Sequence, residues 1–296
     1  MAREQENMSV LKSAMVEAYT ATTWPWRARF RLVHSRVGLA PLMVLFYHRV
    51  ADHDVTPWTI TTDDFRHHLD YLQSKFEIVS LAEGQRRIAM RFNPHPCVAI
   101  TFDDGYGDNS EFAIKELNTR SLPATYFVTL DNVLTGEPFS HDAKLGINAR
   151  PNTIDELRQM IASGNIEIGG HTRTHADVGS IHDSARLQDE VIDATHELER
   201  AIDQPIRYFA FPFGLPANLN DAAINLLRRN GILAFCSAYG GYNFPGDDPY
   251  HIQRIHGDPE LARLRNWLTI DPRKVQGIPR YQPRYTRLPE PSGVQL

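Results

Sequence analysis

Short apolar runs alternate with amphipathic ones through the middle of the chain. The runs at 42–47, 98–102, 125–129, 166–168, 208–211, 233–236 and 251–255 are rich in Val, Ile, Phe and Tyr and read as buried strands. Between many of them apolar residues recur at helical spacing. A pattern opening near Asp63 places Phe65, Leu69 and Leu72 on one face, and another runs from about Thr153 through Ile154, Leu157 and Ile161 to Gly164. The longest, over 183–201, sets Leu187, Val191, Ala194 and Leu198 in a stripe against a charged opposite side; a further one opens at Asp221 and stops at Asn230-Gly231. Such alternation predicts an α/β fold with a parallel sheet, open or closed into a barrel. In either form the working residues belong in the loops that follow the strands.

The two ends break the pattern. Residues 1–36 form a polar-to-basic arm, expected to be helical between Ser9 and Tyr19, and the Pro- and Arg-rich stretch from Asp271 is expected to be irregular. The predicted organisation is thus an arm over 1–36, a catalytic domain over 37–270 and a tail over 271–296. Within the arm, Trp24-Pro-Trp-Arg-Ala-Arg-Phe-Arg31 mixes residues that suit a membrane interface, so a peripheral membrane contact is one reading. Packing of the arm against its own domain is the favoured one. The first thirty residues build no apolar core of a secretory signal, which points to a cytoplasmic location. The run at 37–47 is far shorter than the ~18 residues of a spanning helix, so no transmembrane segment is expected.

Composition narrows the partners. A net charge of −5 over 296 residues, without a dense Lys/Arg stripe, argues against nucleic acid. Cys97 and Cys236, the only two cysteines, lie in separate apolar runs and read as buried free thiols.

The polar outliers fall directly after the strands. Asp103 and Asp104 follow 98–102, His171 and His175 follow 166–168, Pro212-Phe213-Gly214 follows 208–211, and His48 and His256 follow the first and last strands. In a parallel α/β domain these positions converge on one face. The two imidazoles of His171-Thr-Arg-Thr-His175, on a helix or on two sides of a tight loop, can both reach one Zn²⁺ at ~2.0–2.1 Å. Thr172 stands where a zincin protease needs its Glu base, so that class is disfavoured. Gly169-Gly170 is expected to turn the backbone sharply and bring it close to the site. Of two adjacent carboxylates, one can ligate a cation while the other stays free as a general base. With the histidines they complete a two-His, one-carboxylate set.

Together these segments resemble the polysaccharide deacetylase family with the NodB homology domain, a carbohydrate esterase family 4-like group. Thr101-Phe-Asp-Asp-Gly105 matches its first motif and His171-Thr-Arg-Thr-His175 its second. Phe209-Ala-Phe-Pro-Phe-Gly214 resembles its aromatic-Pro-aromatic-Gly loop, and Leu45-Phe-Tyr-His-Arg-Val50 its entry strand. The resemblance spans roughly 40–270 and implies a distorted, incomplete (β/α) barrel. It implies Asp103 as the general base, and Asp104, His171 and His175 as ligands of one divalent metal, Zn²⁺ before Co²⁺, Ni²⁺ or Mn²⁺. It also implies a backbone oxyanion donor at Phe213. Tyr106 and Phe213, with Tyr242, are candidates for stacking on a sugar, with core packing an equal reading of such aromatics.

Three departures stand out. The family arginine that orients the base is replaced by Ala210, the tryptophan motif has no match, and Arg254-Ile-His256 stands where the family has Leu-x-His. His256 is the expected general acid, with His48 in reserve. The expected function is a metal-dependent hydrolase that removes acetyl groups from N-acetylhexosamine units of a glycan or oligosaccharide. A hydrolase of another C–N bond, such as a cyclic imide or small amide, is the alternative enzyme. A non-catalytic glycan-binding protein is the other class.

Overall fold

The computed structural model describes residues 2–257, 260–276 and 281–286. Seven parallel strands form the centre: β1 (Leu42–Tyr47), β2 (Cys97–Phe102), β3 (Ala124–Val128), β4 (Ile166–Gly170), β5 (Tyr208–Ala210), β6 (Ala234–Ser237) and β7 (His251–His256). They pair in sequence order, and β1 pairs with both β2 and β7, so the sheet closes on itself. A short strand, Glu77–Ile78, pairs with the start of β2 at Cys97 and Val98, on the edge that β3 takes further along at Ile100. This is the distorted (β/α) barrel, short of eight full repeats, that the motifs implied.

Side chains alternate along each strand. Met43, Leu45, Val98, Ile100, Tyr126, Val128 and Phe209 join the apolar layer under the helices. Leu42, Val44, Cys97, Ala99, Phe127, Tyr208, Ala210, Cys236 and Ile252 fill the barrel interior. Both cysteines are free and buried there, as expected. At the carboxyl ends of the strands the interior rows become polar.

The helices begin where side chains can cap them. Thr61 caps α2 (Thr62–Lys75) by accepting from the Asp64 N–H, followed by α3 (Leu81–Ala89). Thr153 and Glu156 form a reciprocal capping box on α4 (Ile154–Ala162). The predicted long helix is α5 (184–202), capped by Asp183 and interrupted by one π-turn at Asp189–Asp193. Asn220 caps α6 (Asp221–Arg229), and α7 (Leu261–Leu268) follows β7.

Before all of these runs α1 (Ala2–Arg36), one helix far longer than the stretch between Ser9 and Tyr19 that the sequence suggested. Its inner side is anchored by Arg27, whose guanidinium donates to the Asn266 carbonyl at 2.7 Å and to Thr269 at 3.0 Å. Trp26 and Phe30 pack against the core, so the arm lies on its own domain. In the tail Pro272–Gln276 is helical against expectation, while 281–286 is irregular as expected and runs beside α6 through Tyr281–Asp221 and Thr286–Asn225 hydrogen bonds. Among the described residues no helix is long and apolar enough to cross a membrane.

Candidate active site

Asp103 extends the inward row Cys97, Ala99, Thr101, and its carboxylate is buried. Arg254, from the inward row of β7, meets it in a bidentate pair: Nη1 donates to Oδ1 at 2.6 Å and Nη2 to Oδ2 at 2.9 Å. Arg254 is itself fully buried and also donates to the Ser237 carbonyl at 3.1 Å and to Thr101 at 3.2 Å. The arginine absent at Ala210 is thus supplied from β7, a substitution visible only once the strands close. Burial works to raise the Asp103 pKa, but the charges of Arg254 and His171 outweigh it and hold the carboxyl below its ordinary range.

Asp104 does not continue the row. Its φ of 71° lies in the left-handed region and swings the carboxylate toward the histidines. Asp104 Oδ1 stands 3.4 Å from His171 Nε2 and 3.2 Å from His175 Nε2, yet this buried oxygen makes no well-aligned hydrogen bond. His171 Nδ1 lies 2.7 Å from the Ala210 carbonyl, which fixes the tautomer that leaves Nε2 free to ligate. Three ligand atoms within 4.8 Å of one another, one an orphaned oxygen, fit a divalent cation. Two imidazoles and a carboxylate suit Zn²⁺ and its neighbours.

The histidines sit on a loop. Gly169 and Gly170 are the last residues of β4 and make no turn. Their use is close approach: a Cβ on Gly169 would lie 2.4 Å from the Phe127 ring and 3.0 Å from the Tyr208 carbonyl. The turning is done by Thr172 (φ 64°) and His175 (φ 59°), non-glycine residues in the left-handed region. Buried Glu190, in the π-turn of α5, holds the loop by accepting from the Arg173 N–H at 3.1 Å, the Thr174 N–H at 3.0 Å and the Thr174 hydroxyl at 2.7 Å. In sequence Glu190 looks like one more acid on a solvated helix face.

Around this floor opens a cleft of about 440 Å³, lined by His48, His256, His141, Trp58 and Phe213. Burial lowers the pKa of both His48 and His256 to about 4, so both rest neutral at neutral pH. His141, which the motifs did not single out, comes from the short helix Ser140–Ala143; its Nε2 lies 3.9 Å from Asp104 Oδ2 and 2.8 Å from the Tyr106 hydroxyl. Tyr106 is not a stacking residue: it is fully buried, its hydroxyl donates to Asp142 at 2.7 Å, and its ring packs on Phe139. Tyr242 is likewise buried, bonded to the Trp267 carbonyl. The exposed aromatic rim is Phe213 (58 %) and Trp58 (46 %).

A seven-stranded (β/α) barrel with an Asp-His-His cluster beside a buried carboxylate, at the carboxyl ends of its strands, defines the class. The sequence model of the polysaccharide deacetylase family matches residues 91–235, which contain both carboxylates and both histidines. A Bacillus subtilis protein named for the same family, YxkH, is 22% identical over 225 residues, 75% of this chain and 74% of its own. The structure of IcaB from Ammonifex degensii superposes with a TM-score of 0.64 at 25% identity, covering 78% of this chain and 97% of that one. A de-N-acetylase from Aggregatibacter actinomycetemcomitans shares the fold with a TM-score of 0.62 at 20% identity, over 77% and 99% of the two chains. In motifs over residues 91–235 and in fold, this chain is similar to the polysaccharide deacetylase family.

Proposed function

We propose that this protein removes acetyl groups from N-acetylhexosamine units of a glycan or oligosaccharide, using one divalent cation, Zn²⁺ first, held by Asp104, His171 and His175. The observation that carries this reading is the division of the Asp pair. Asp104 faces two imidazoles, while Asp103 is held off them by Arg254 and left as an ionised acceptor. A site that only bound metal or sugar has no use for that second buried carboxylate. When bound, the cation supplies Lewis acidity at the amide carbonyl and lowers the pKa of water there toward ~7.

Asp103 takes the proton from the attacking water. The Phe213 N–H, which has no acceptor among the described residues, is offered to the oxyanion. Phe213 and Trp58 give the sugar ring an aromatic rim. His256 is the group assigned to protonate the departing amine; at a pKa of about 4 it must acquire that proton during turnover rather than hold it at rest.

The test is acetate release from a panel of N-acetylated glycans after reconstitution with Zn²⁺ or Co²⁺. Wild type should release acetate with about one metal per chain, and His171→Ala and His175→Ala should lose both. Elemental analysis that finds no divalent metal in the reconstituted wild type would remove the central claim.

A further inference from the structure

The long helix α1 presents apolar side chains to solvent as well as to the domain. Its hydrogen-bonding side faces the domain: Tyr19 donates to Asp271, Thr20 to Asn266, and Arg27 to Asn266 and Thr269. Its opposite face is exposed and carries Leu11 (60 %), Met15 (64 %), Leu32 (51 %) and Val33 (46 %). Positions 11, 15, 18, 22, 25, 29, 32 and 36 follow one another by three or four residues, which puts them on one outward stripe. A helix of 35 residues is about 52 Å long, so the stripe is extended and straight-sided.

The apolar surface continues past the helix end. Val37 is exposed, and the exposed ring of Phe92 lies against Gly38, where a Cβ would come within 2.4 Å of it. Exposed Met90 and Leu39 adjoin. β1 begins shortly afterwards, so this cap lies at the barrel end where strands start, opposite the cleft.

From residue 18 to the end of the cap the exposed charges on this surface are all positive, with Glu17 the one exposed acid beside them among the described residues. Lys12, Arg29, Arg36 and Arg91 are exposed, and none has a carboxylate partner among the described residues. No Asp or Glu occurs between Glu17 and Asp52, although the whole chain carries −5. Pairing of α1 with a second copy across a two-fold axis would bring arginines onto a stripe that offers them no carboxylate. A planar anionic surface satisfies both features: apolar side chains enter the headgroup boundary while the cations stay at the phosphates, with Trp24 half-exposed at the edge.

We propose that the outward face of α1 and the cap at its C-terminal end dock this protein on an anionic lipid bilayer. The contact leaves the cleft open and does not depend on the reaction assigned to it. The test is co-sedimentation of the full chain with vesicles of phosphatidylcholine alone or mixed with phosphatidylglycerol. The mixed vesicles should pellet the protein, less so at high salt. Arg29→Glu/Arg36→Glu should weaken partition about 10- to 100-fold, from roughly fivefold for each cation lost near the surface and more for the reversed charge. Leu32→Glu should weaken it as well, and Leu32→Ser serves if the charge disturbs folding, with thermal melting as the control.

Failure to bind mixed vesicles, or equal binding to both kinds, would overturn the proposal. So would light scattering that shows a dimer in wild type abolished by Leu32→Glu, which would assign the face to a second copy.

Discussion

Asp103 and Asp104 are neighbours in sequence, and one backbone angle turns their carboxylates to different partners, Arg254 and the histidine pair, as the proposed division of roles requires. Asp103→Asn should therefore keep the metal and abolish turnover, whereas Asp104→Asn should lose metal retention. Equal metal loss in both variants, read by elemental analysis, would refute the division. Arg254 supports the first role. A carboxyl held below its ordinary range is ionised through neutral pH, and its contribution to stability is lost only as pH falls through that lowered value. Without the guanidinium, burial is opposed only by the nearby imidazoles of His171 and His48, and the pKa rises. Arg254→Met should shift the acidic limb of kcat/KM to higher pH and cost about 3–5 kcal/mol of stability by stranding a buried charge. An unmoved limb would mean that Arg254 does not tune the base. For His256, replacement by Gln should lower kcat by about 10² to 10⁴ with metal retained. A variant that keeps most of the wild-type kcat transfers the acid role to His48, whose ring centroid lies 6.0 Å away.

Among the elements, the loop 171–175 depends on α5. The π-turn at Asp189–Asp193 turns Glu190 inward, and one carboxylate then accepts two backbone N–H groups and a hydroxyl of the loop 171–175. Glu190→Ala leaves those donors unmet beside two left-handed residues. Metal affinity measured by chelator competition should fall about 10- to 100-fold, the scale of lost outer-shell support. Unchanged affinity would mean that the loop holds its shape without α5. On β4, Gly169→Ala sets a methyl group 2.4 Å from Phe127 and should destabilise by about 1–3 kcal/mol in denaturant unfolding.

At the scale of the whole molecule, closure of the barrel brings residues distant in sequence to one end, and α1 is fastened across α7 by polar contacts. Arg27 is buried and shares its donors among Thr23, Asn266 and Thr269. Arg27→Met keeps the length and removes the donors. It should release α1 while the barrel persists, seen as faster amide exchange over residues 11–36 with metal content unchanged. Loss of metal in this variant would show that the arm and the barrel unfold as one unit.

Apolar patterning alone determined all seven barrel strands, because buried strands need continuous Val, Ile and Phe whatever they pack against. The Asp pair and the two histidines were equally plain, since each directly follows a strand. Position along the chain carried no sign of Arg254 as partner to Asp103 or of Glu190 beneath the loop 171–175. Both are polar residues whose meaning depends on which strand or helix stands opposite. His141 and Trp58 joined the cleft for the same reason, and Tyr106 left its surface because Phe139 and Asp142 close over it. Local periodicity sets which way a side chain points within its own element. Only the closed barrel decides what it meets there.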